Sequence, residues 1–308
     1  MQAKLLRDAG HKVDQIALPS QGARWRWPAK ALTIPVRLAA LLPVVRRLRQ
    51  GRYDVIHIHF LSQGVVGILA RVPFFAQAHG SDLHTNLLNP AYGPVTRAVA
   101  KRAKAIFYVT PNLPAFLDGF QAKLVYLPNP VELAAAPAPT RVARILIFTR
   151  LHPIKGVERI FPAVQGLSAM AEVTALEYGP LAADYIARYG KWVKFRPPVA
   201  HDEIQEFLGR FDVVIGQMRQ GVLGLMEIEA LAVGRPVICA IDSDLYRDDP
   251  PPVIHASSPD EIVAAVERLR DRTDDMIAIS RRSHEWAERN HGYRQHLKRL
   301  ETTYFGSG

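Results

Sequence analysis

Two cations and a glycine-rich turn are the parts of this sequence best suited to chemistry. The apolar run "RILIFTR" (144–150) ends in Arg150, and Lys155 follows five residues later at the start of a helical segment. Ligands of open parallel sheets bind beyond the carboxyl ends of the strands. A guanidinium fork and an ammonium point charge in that place suit a diphosphate; standing alone, the same pair is a solvated surface feature. Further on, "DVVIGQ" (212–217) leads through Gly221 and Gly224 into a helix expected from Leu225 to Ala232, stopped by Gly234 with Pro236 beyond. Backbone N–H groups at such a turn, with the helix dipole, bind anions, although glycine-rich strand-to-helix turns are common in α/β chains.

Two glutamates follow the turn. Glu227 and Glu229 lie about 200° apart around a helix and flank the stripe of Leu225, Ile228, Leu231 and Ala232 from opposite sides. They cannot both face one ligand, and a carboxylate accepting from ribose hydroxyls is a usual sugar grip in nucleotide sites. In the first half, "QAHGSD" puts His79, with Gly80, Ser81 and Asp82, at a strand end. His79 there either faces a ligand or is satisfied by backbone carbonyls. His57 and His59 alternate in "VIHIHF" and share one strand face, with no carboxylate or third ligand at metal-site spacing, so they read as structural and no metal is expected. The single cysteine, Cys239, sits in "RPVICAI" as a buried strand residue and excludes an internal disulfide.

A scaffold that ends its strands along one edge must position these groups. Short apolar runs alternate with helical-period segments: 13–18, 54–60, 74–80, 105–110 and 123–128, then 144–150, 172–179, 192–197, 212–217, 235–241 and 252–256. Near-continuous Val/Ile/Leu runs joined by helices predict parallel sheets covered on both faces, an α/β arrangement repeated twice. With 308 residues, 48% of them hydrophobic, the chain can fill two cores. Pro128, Pro130, Pro137 and Pro139 forbid a regular element over 127–141 and mark a linker. The expected domains are 1–135, 136–290 and a terminal helix, 291–308, returning to the first. "MQAKLLRDAGHKV" reads as a helix tail stopped by Gly10. A doubly wound domain has a strand ahead of its first helix, so the first domain is expected to lack its first strand.

Charge separates the halves. Residues 1–140 hold 17 Lys+Arg against 6 Asp+Glu, and residues 141–308 hold 22 against 23. The basic excess argues for an anionic partner or, more simply, a solvated basic surface. Within 24–52, Trp25 and Trp27 stand among Arg and Lys residues, and from Val36 an amphipathic helix is expected with Leu38, Leu41, Leu42, Val45 and Leu48 on one face. Arg37, Arg46, Arg47 and Arg49 lie mostly off that face, and Pro43 would kink it. The pattern fits docking on an anionic membrane surface, with Trp25, Trp27, Arg37, Arg46 and Arg47 on that side, or an ordinary core-packed helix. No nucleic-acid module is evident, and nucleic acid is not an expected partner. No signal or spanning segment stands out, so a cytoplasmic protein, peripheral at the inner face of the cell membrane, is expected.

At this point the motifs resemble a family. "FTRLHPIKG" followed by "GVLGLMEIEALAVGRPVI" resembles the nucleotide-sugar site of the retaining GT-B glycosyltransferases, glycosyltransferase family 4 (glycosyl transferases group 1), and "AGHKV", "YDVIHIH", "AHGSD" and "LPNPVE" extend the likeness along most of the chain. The resemblance implies two Rossmann-like domains facing across a cleft, the donor held mainly by the second. It implies that Arg150 and Lys155 neutralise the donor diphosphate, that backbone groups of Val222, Leu223, Gly224 and Leu225 contact phosphates and sugar, that Glu229 binds the ribose, and that His79 lies beside the transferred sugar. His79, Arg150 and Lys155 are then the catalytic set. The family's other glutamate, eight positions before the ribose one, falls on Gly221, beside the polar but uncharged Gln220. The implied activity is sugar transfer with retention from a UDP- or GDP-sugar to a cell-envelope polysaccharide or lipid-linked glycan, with no cofactor beyond the nucleotide-sugar substrate. Gly221 keeps an alternative open, a catalytically inactive or truncated GT-B protein that binds nucleotide or serves as a partner subunit.

Overall fold

The computed structural model describes residues 1–18, 34–80, 83, 87, 89, 90, 92–270 and 272–306, without the side chains of 34–38. It divides into two compact units, Met1–Pro128 with Leu297–Gly308, and Asn129–His296.

The first unit carries a four-stranded parallel sheet in the order β1 (His57–His59), β2 (Phe75–Ala78), β3 (Ile106–Tyr108), β4 (Leu124–Tyr126). All four residues of β2 are buried, as a parallel strand covered on both faces requires. Around it lie α1 (Gln2–Asp8), α2 (Ile34–Gln50), α3 (Val65–Ala70) and α4 (Gly93–Arg102). Helix α1 ends as its sequence predicts: Gly10 adopts φ 92°, its N–H donates to the Arg7 carbonyl, and the His11 N–H reaches back to the Leu6 carbonyl. That double bond is a Schellman stop, which glycine accommodates without strain.

One expected strand does not form. Residues 13–18 carry no regular secondary structure and no ladder pairing. In a doubly wound sheet this run pairs with the strand ahead of the first helix, and no such strand is among the described residues, so its backbone has no ladder to join.

The second unit carries a six-stranded parallel sheet, ordered β10 (Ile254–His255), β9 (Val237–Cys239), β8 (Val213–Ile215), β5 (Arg144–Ile147), β6 (Glu172–Leu176), β7 (Lys194–Arg196). The period-2 alternation of the strands explains its two cores. Ile145 and Ile147 of β5 pack into one cluster with Val157, Val213 and Ile215. Leu146 and Phe148 point the other way, into a cluster with Val214, Ile228, Leu231 and Trp286. Helix α5 (Leu225–Ala232) packs against α6 (Thr273–His291), and α7 (Tyr293–Phe305) ends the chain. From β5 the chain winds outward through β6 and β7 and then returns to the other side of β5 as β8. The crevice outside the carboxyl ends of β5 and β8 is therefore a topological switch point, where open α/β sheets receive ligands.

Candidate functional site

The loops leaving β5 and β8 meet at that switch point. After β5, a short 3-10 turn, Pro153–Lys155, is capped by the His152 Nδ1, which accepts from the Ile154 N–H at 3.1 Å. Gly156 then turns at φ 71°, where a Cβ would stand 3.0 Å from the Met218 carbonyl carbon. This close approach lets the Met218 N–H donate to the Lys155 carbonyl at 2.8 Å, tying the two loops together. The Lys155 ammonium donates to the Gln220 Oε1 at 2.5 Å and also lies beside Gly224, where a Cβ would be 3.4 Å away. Lys155, Gln220 and Gly224, predicted from separate motifs, are thus one cluster.

Arg150 is placed differently. It leaves the same strand exposed and lies over the Tyr178 ring, its guanidinium carbon 5.5 Å from the centroid.

Two residues that hold the loop were not assigned to it from sequence. Gln217 is fully buried at the exit of β8. Its Oε1 accepts from the N–H groups of Arg219 and Gln220 at 2.8 and 2.6 Å, and its Nε2 donates to the carbonyls of Val222 and Ala240 at 3.1 and 2.7 Å. Glu227, also buried, accepts from the Gln217 N–H and the Gly224 N–H, both at 2.8 Å, one on each carboxylate oxygen. A glutamate three residues after a helix N-cap is the sequence signal for such a reach-back. Glu227 therefore organises the loop.

These bonds alter the expected anion site. The Gly224 N–H is committed to Glu227, and the Leu223 N–H donates to the Tyr246 hydroxyl at 2.9 Å. Neither amide is open to a phosphate in this state, contrary to the expectation for those two positions. The first-turn amides of Leu225 and Met226 have no intrahelical acceptor by helix geometry, and they bring the positive end of α5 toward the Lys155 side of the loop. Val222 and Leu223 are themselves buried, and Leu225 is exposed. Gly221 adopts φ 69°, a region costly for other residues, and bridges to Ile241 while its carbonyl accepts from the Asp242 N–H.

Glu229 is only 4% exposed. Its Oε1 lies 3.6 Å from the His201 Nδ1. Burial, with the Glu227 carboxylate nearby, pushes Glu229 up to about 7, so it shares a proton with solvent near neutrality. The two glutamates thus have different tasks: Glu227 is bound to backbone amides, and Glu229 is a buried carboxyl beside a histidine.

In the other unit, His79 follows β2 at the carboxyl edge. Its Nε2 lies 3.4 Å from the His59 Nδ1, and its ring packs on Phe60. Burial, helped by His59, pushes the His79 imidazole down to about 4, which leaves it neutral at pH 7. His57 and His59 share a strand face, ring centroids 4.8 Å apart, and His57 bonds the Tyr304 hydroxyl and Gln77. Among the described residues no group of three or more His, Cys, Asp or Glu is placed to hold a metal ion. Cys239 is buried in β9.

The basic segment is partly legible. Trp25 and Trp27 lie outside the described residues, as does the Arg37 side chain. Helix α2 continues through Pro43, and its apolar face turns inward: Val45 and Leu48 are buried and Leu41 packs on the same core, leaving Leu42 52% exposed. The expected apolar membrane face is thus mostly used up by the core. Arg46 is exposed, while Arg47 is paired with Asp14 at 2.8 Å. Among the described residues no helix is long and apolar enough to cross a membrane.

Comparison with known proteins places the fold. The family model of the Glycosyl transferase 4-like domain matches residues 1–130. A D-inositol 3-phosphate glycosyltransferase of Geodermatophilus obscurus is 24% identical, the alignment covering 81% of this chain and 67% of that protein. Among solved structures, sucrose-phosphate synthase from Thermosynechococcus elongatus superposes with a TM-score of 0.73 at 16% identity, over 98% of this chain and 90% of that one. HepE of Anabaena, solved in complex with UDP and glucose, superposes with a TM-score of 0.68 at 15% identity, over 86% and 81%. The fold is GT-B, two Rossmann-like domains each built on a parallel sheet. Over residues 1–130 the chain is similar to the Glycosyl transferase 4-like domain, and its fold is the one found in the glycosyltransferase structures it resembles.

Proposed function

We propose that this chain transfers a sugar, with retention of anomeric configuration, from a UDP- or GDP-sugar to a cell-envelope polysaccharide or lipid-linked glycan. The observation that carries the reading is the meeting of Lys155, Gln220 and the N-terminus of α5 at the switch point between β5 and β8. Lys155 and Arg150 would take the charge that develops on the leaving diphosphate as the glycosidic bond to it breaks, and the amides at the start of α5 would add to that stabilisation. Glu229 would accept from the ribose hydroxyls, and neutral His79 would lie against the transferred sugar. Gln220 would offer its amide to sugar hydroxyls in the region where the family's carboxylate is expected. UDP-bound HepE supports a UDP-sugar as the first donor to try. Exposed Arg46 and the basic excess of residues 1–140 support an acceptor held at an anionic membrane surface.

Gly221 supports a second reading, a nucleotide-binding protein that no longer transfers, because at φ 69° the backbone is set for glycine where a carboxylate would stand. Calorimetry with UDP and GDP, followed by product analysis with their sugar conjugates, separates the two. Transfer giving the donor's own anomer supports the first; tight nucleotide binding without hydrolysis or transfer over a broad acceptor panel supports the second. Flotation with liposomes tests the surface: equal recovery with neutral and anionic lipid removes the membrane part of the proposal.

A further inference from the structure

His152 stands in the loop between Arg150 and Lys155, beyond the carboxyl end of β5. It supplies most of what holds the turn that carries Lys155. Pro153 has no N–H to place. The Ile154 N–H donates to the His152 Nδ1, the Lys155 N–H to the His152 carbonyl at 2.9 Å, and the Gly156 N–H to the Pro153 carbonyl at 3.0 Å. Every backbone donor of the turn is thereby satisfied, and His152 takes most of them. The first of these bonds also settles the ring. An Nδ1 that accepts carries no proton, so the proton of the neutral imidazole is on Nε2, at the far edge of the ring. Among the described residues no group accepts from that N–H. Exposure alternates along the exit of β5: Arg150 is exposed, Leu151 is fully buried and His152 is half-buried. With Leu151 in the core beside Val157 and Ile147, Arg150 and His152 share the open side of the loop.

We propose that His152 is a further ligand for the anionic part of the donor, its Nε2–H donating to a diphosphate oxygen beside the Lys155 ammonium and the Arg150 guanidinium. The inference rests on the donor reading of this loop. The choice of residue supports it. Aspartate and serine are strong caps of helical turns, yet neither would serve both purposes. Aspartate would set a negative charge among cations meant for phosphate, and serine would spend its short side chain on the cap. An imidazole takes the Ile154 amide on one edge and keeps an N–H for a ligand on the other, with no negative charge added. A hydrogen bond from such an N–H is strongest when its acceptor is an anion, which makes a phosphate oxygen the fitting partner. The loop after β5 then presents a guanidinium, an imidazole N–H and an ammonium in sequence, and the residue that binds the ligand also holds Lys155 in place.

The test is calorimetry on the full 308-residue chain with UDP against uridine and GDP against guanosine. His152→Ser keeps a cap acceptor and removes the outward N–H, whereas His152→Ala removes both. Diphosphate affinity is expected to fall about tenfold in His152→Ser, the loss of one charge-assisted hydrogen bond, with nucleoside affinity unchanged. Amide exchange at Ile154 and Lys155 should stay as slow as in the parent for His152→Ser and speed up in His152→Ala, which separates the ligand role from the cap. Nitrogen NMR of the parent gives a direct reading. The His152 Nε2 resonance, assigned by its absence from His152→Ser, should move on adding the diphosphate and stay in place with the nucleoside. Equal diphosphate affinity in parent and His152→Ser, an equal loss for diphosphate and nucleoside, or a stationary Nε2 resonance overturns the proposal. Lys155→Ala tells this failure from failure of the donor reading. If Lys155→Ala weakens diphosphate binding and His152→Ser does not, only the role of His152 falls; if the parent binds neither diphosphate, both readings fall.

Discussion

The Lys155 ammonium and the Gln220 side-chain oxygen meet at 2.5 Å across the switch point of the six-stranded sheet. The bond joins the loop after β5 to the loop after β8 and holds the cation over the start of α5. Lys155→Ala is expected to weaken UDP or GDP binding by about 10- to 100-fold, the loss of one charge-assisted contact. Gln220→Ala leaves the cation in place, so a smaller loss is expected in nucleotide affinity and a larger one in sugar-donor turnover. Calorimetry with the nucleotide and with its sugar conjugate checks both; unchanged affinity in Lys155→Ala sinks the site.

Glu229 gives a pH dependence with a definite sign. Its pKa is raised from 4.5 to about 7 in the fold. The folded state therefore binds more protons than the unfolded chain between those values, and this group's contribution to stability is lost as pH rises through that window. A ligand whose hydroxyls donate to the carboxylate has the opposite preference. Nucleotide affinity should rise about tenfold between pH 6 and pH 8 through this group, and the rise should vanish in Glu229→Gln. Titrations at both pH values check it, and an identical rise in the variant removes Glu229 from ribose binding.

Glu227 is expected to matter for stability more than its place on a helix suggests. Its two oxygens accept from two different amides, Gln217 and Gly224. Glutamine in its place keeps one acceptor and turns an NH2 group toward the other amide. Glu227→Gln should cost about 1–3 kcal/mol, because a buried donor loses its partner, and should speed exchange of the 217–224 amides. Denaturant unfolding measures the first effect and hydrogen exchange the second.

Gly221 invites introduction of the carboxylate that the resemblance implies at this position. At φ 69° the change is strained wherever the side chain goes. Gly221→Glu is expected to destabilise the second unit by about 1–2 kcal/mol, and Gly221→Asn by less, since asparagine tolerates the left-handed region. Thermal unfolding of the three forms checks the order; a glutamate variant as stable as the parent would mean the turn relaxes and accepts the carboxylate.

Much of the architecture was legible because burial on two faces leaves a plain signature. The runs around 144–150 and 212–217 are apolar at consecutive positions, and each became a central strand with its residues divided between two cores. Helix α1 and its Gly10 stop were legible for a local reason, since only neighbouring backbone groups are involved. The run 13–18 misled because its apolar character is compatible with a strand, while a strand also needs a neighbour to pair with. The amphipathic pattern of α2 was equally silent on whether its apolar face meets lipid or protein; Val45 and Leu48 meet protein.

The sequence by itself determined which residue types stand after each strand: Arg150 and Lys155 after one, the Gly221 to Gly224 turn and two glutamates after another. Tertiary structure decided which of them meet. Strand order puts β5 beside β8 although the chain between them builds two other strands, and this adjacency brings Lys155 to Gln220 and Gly224. It also leaves Arg150 over Tyr178. The division of labour between Glu227 and Glu229 was likewise set by burial and by the amides within reach, since helical spacing fixes a side chain's direction and not the partner it finds there.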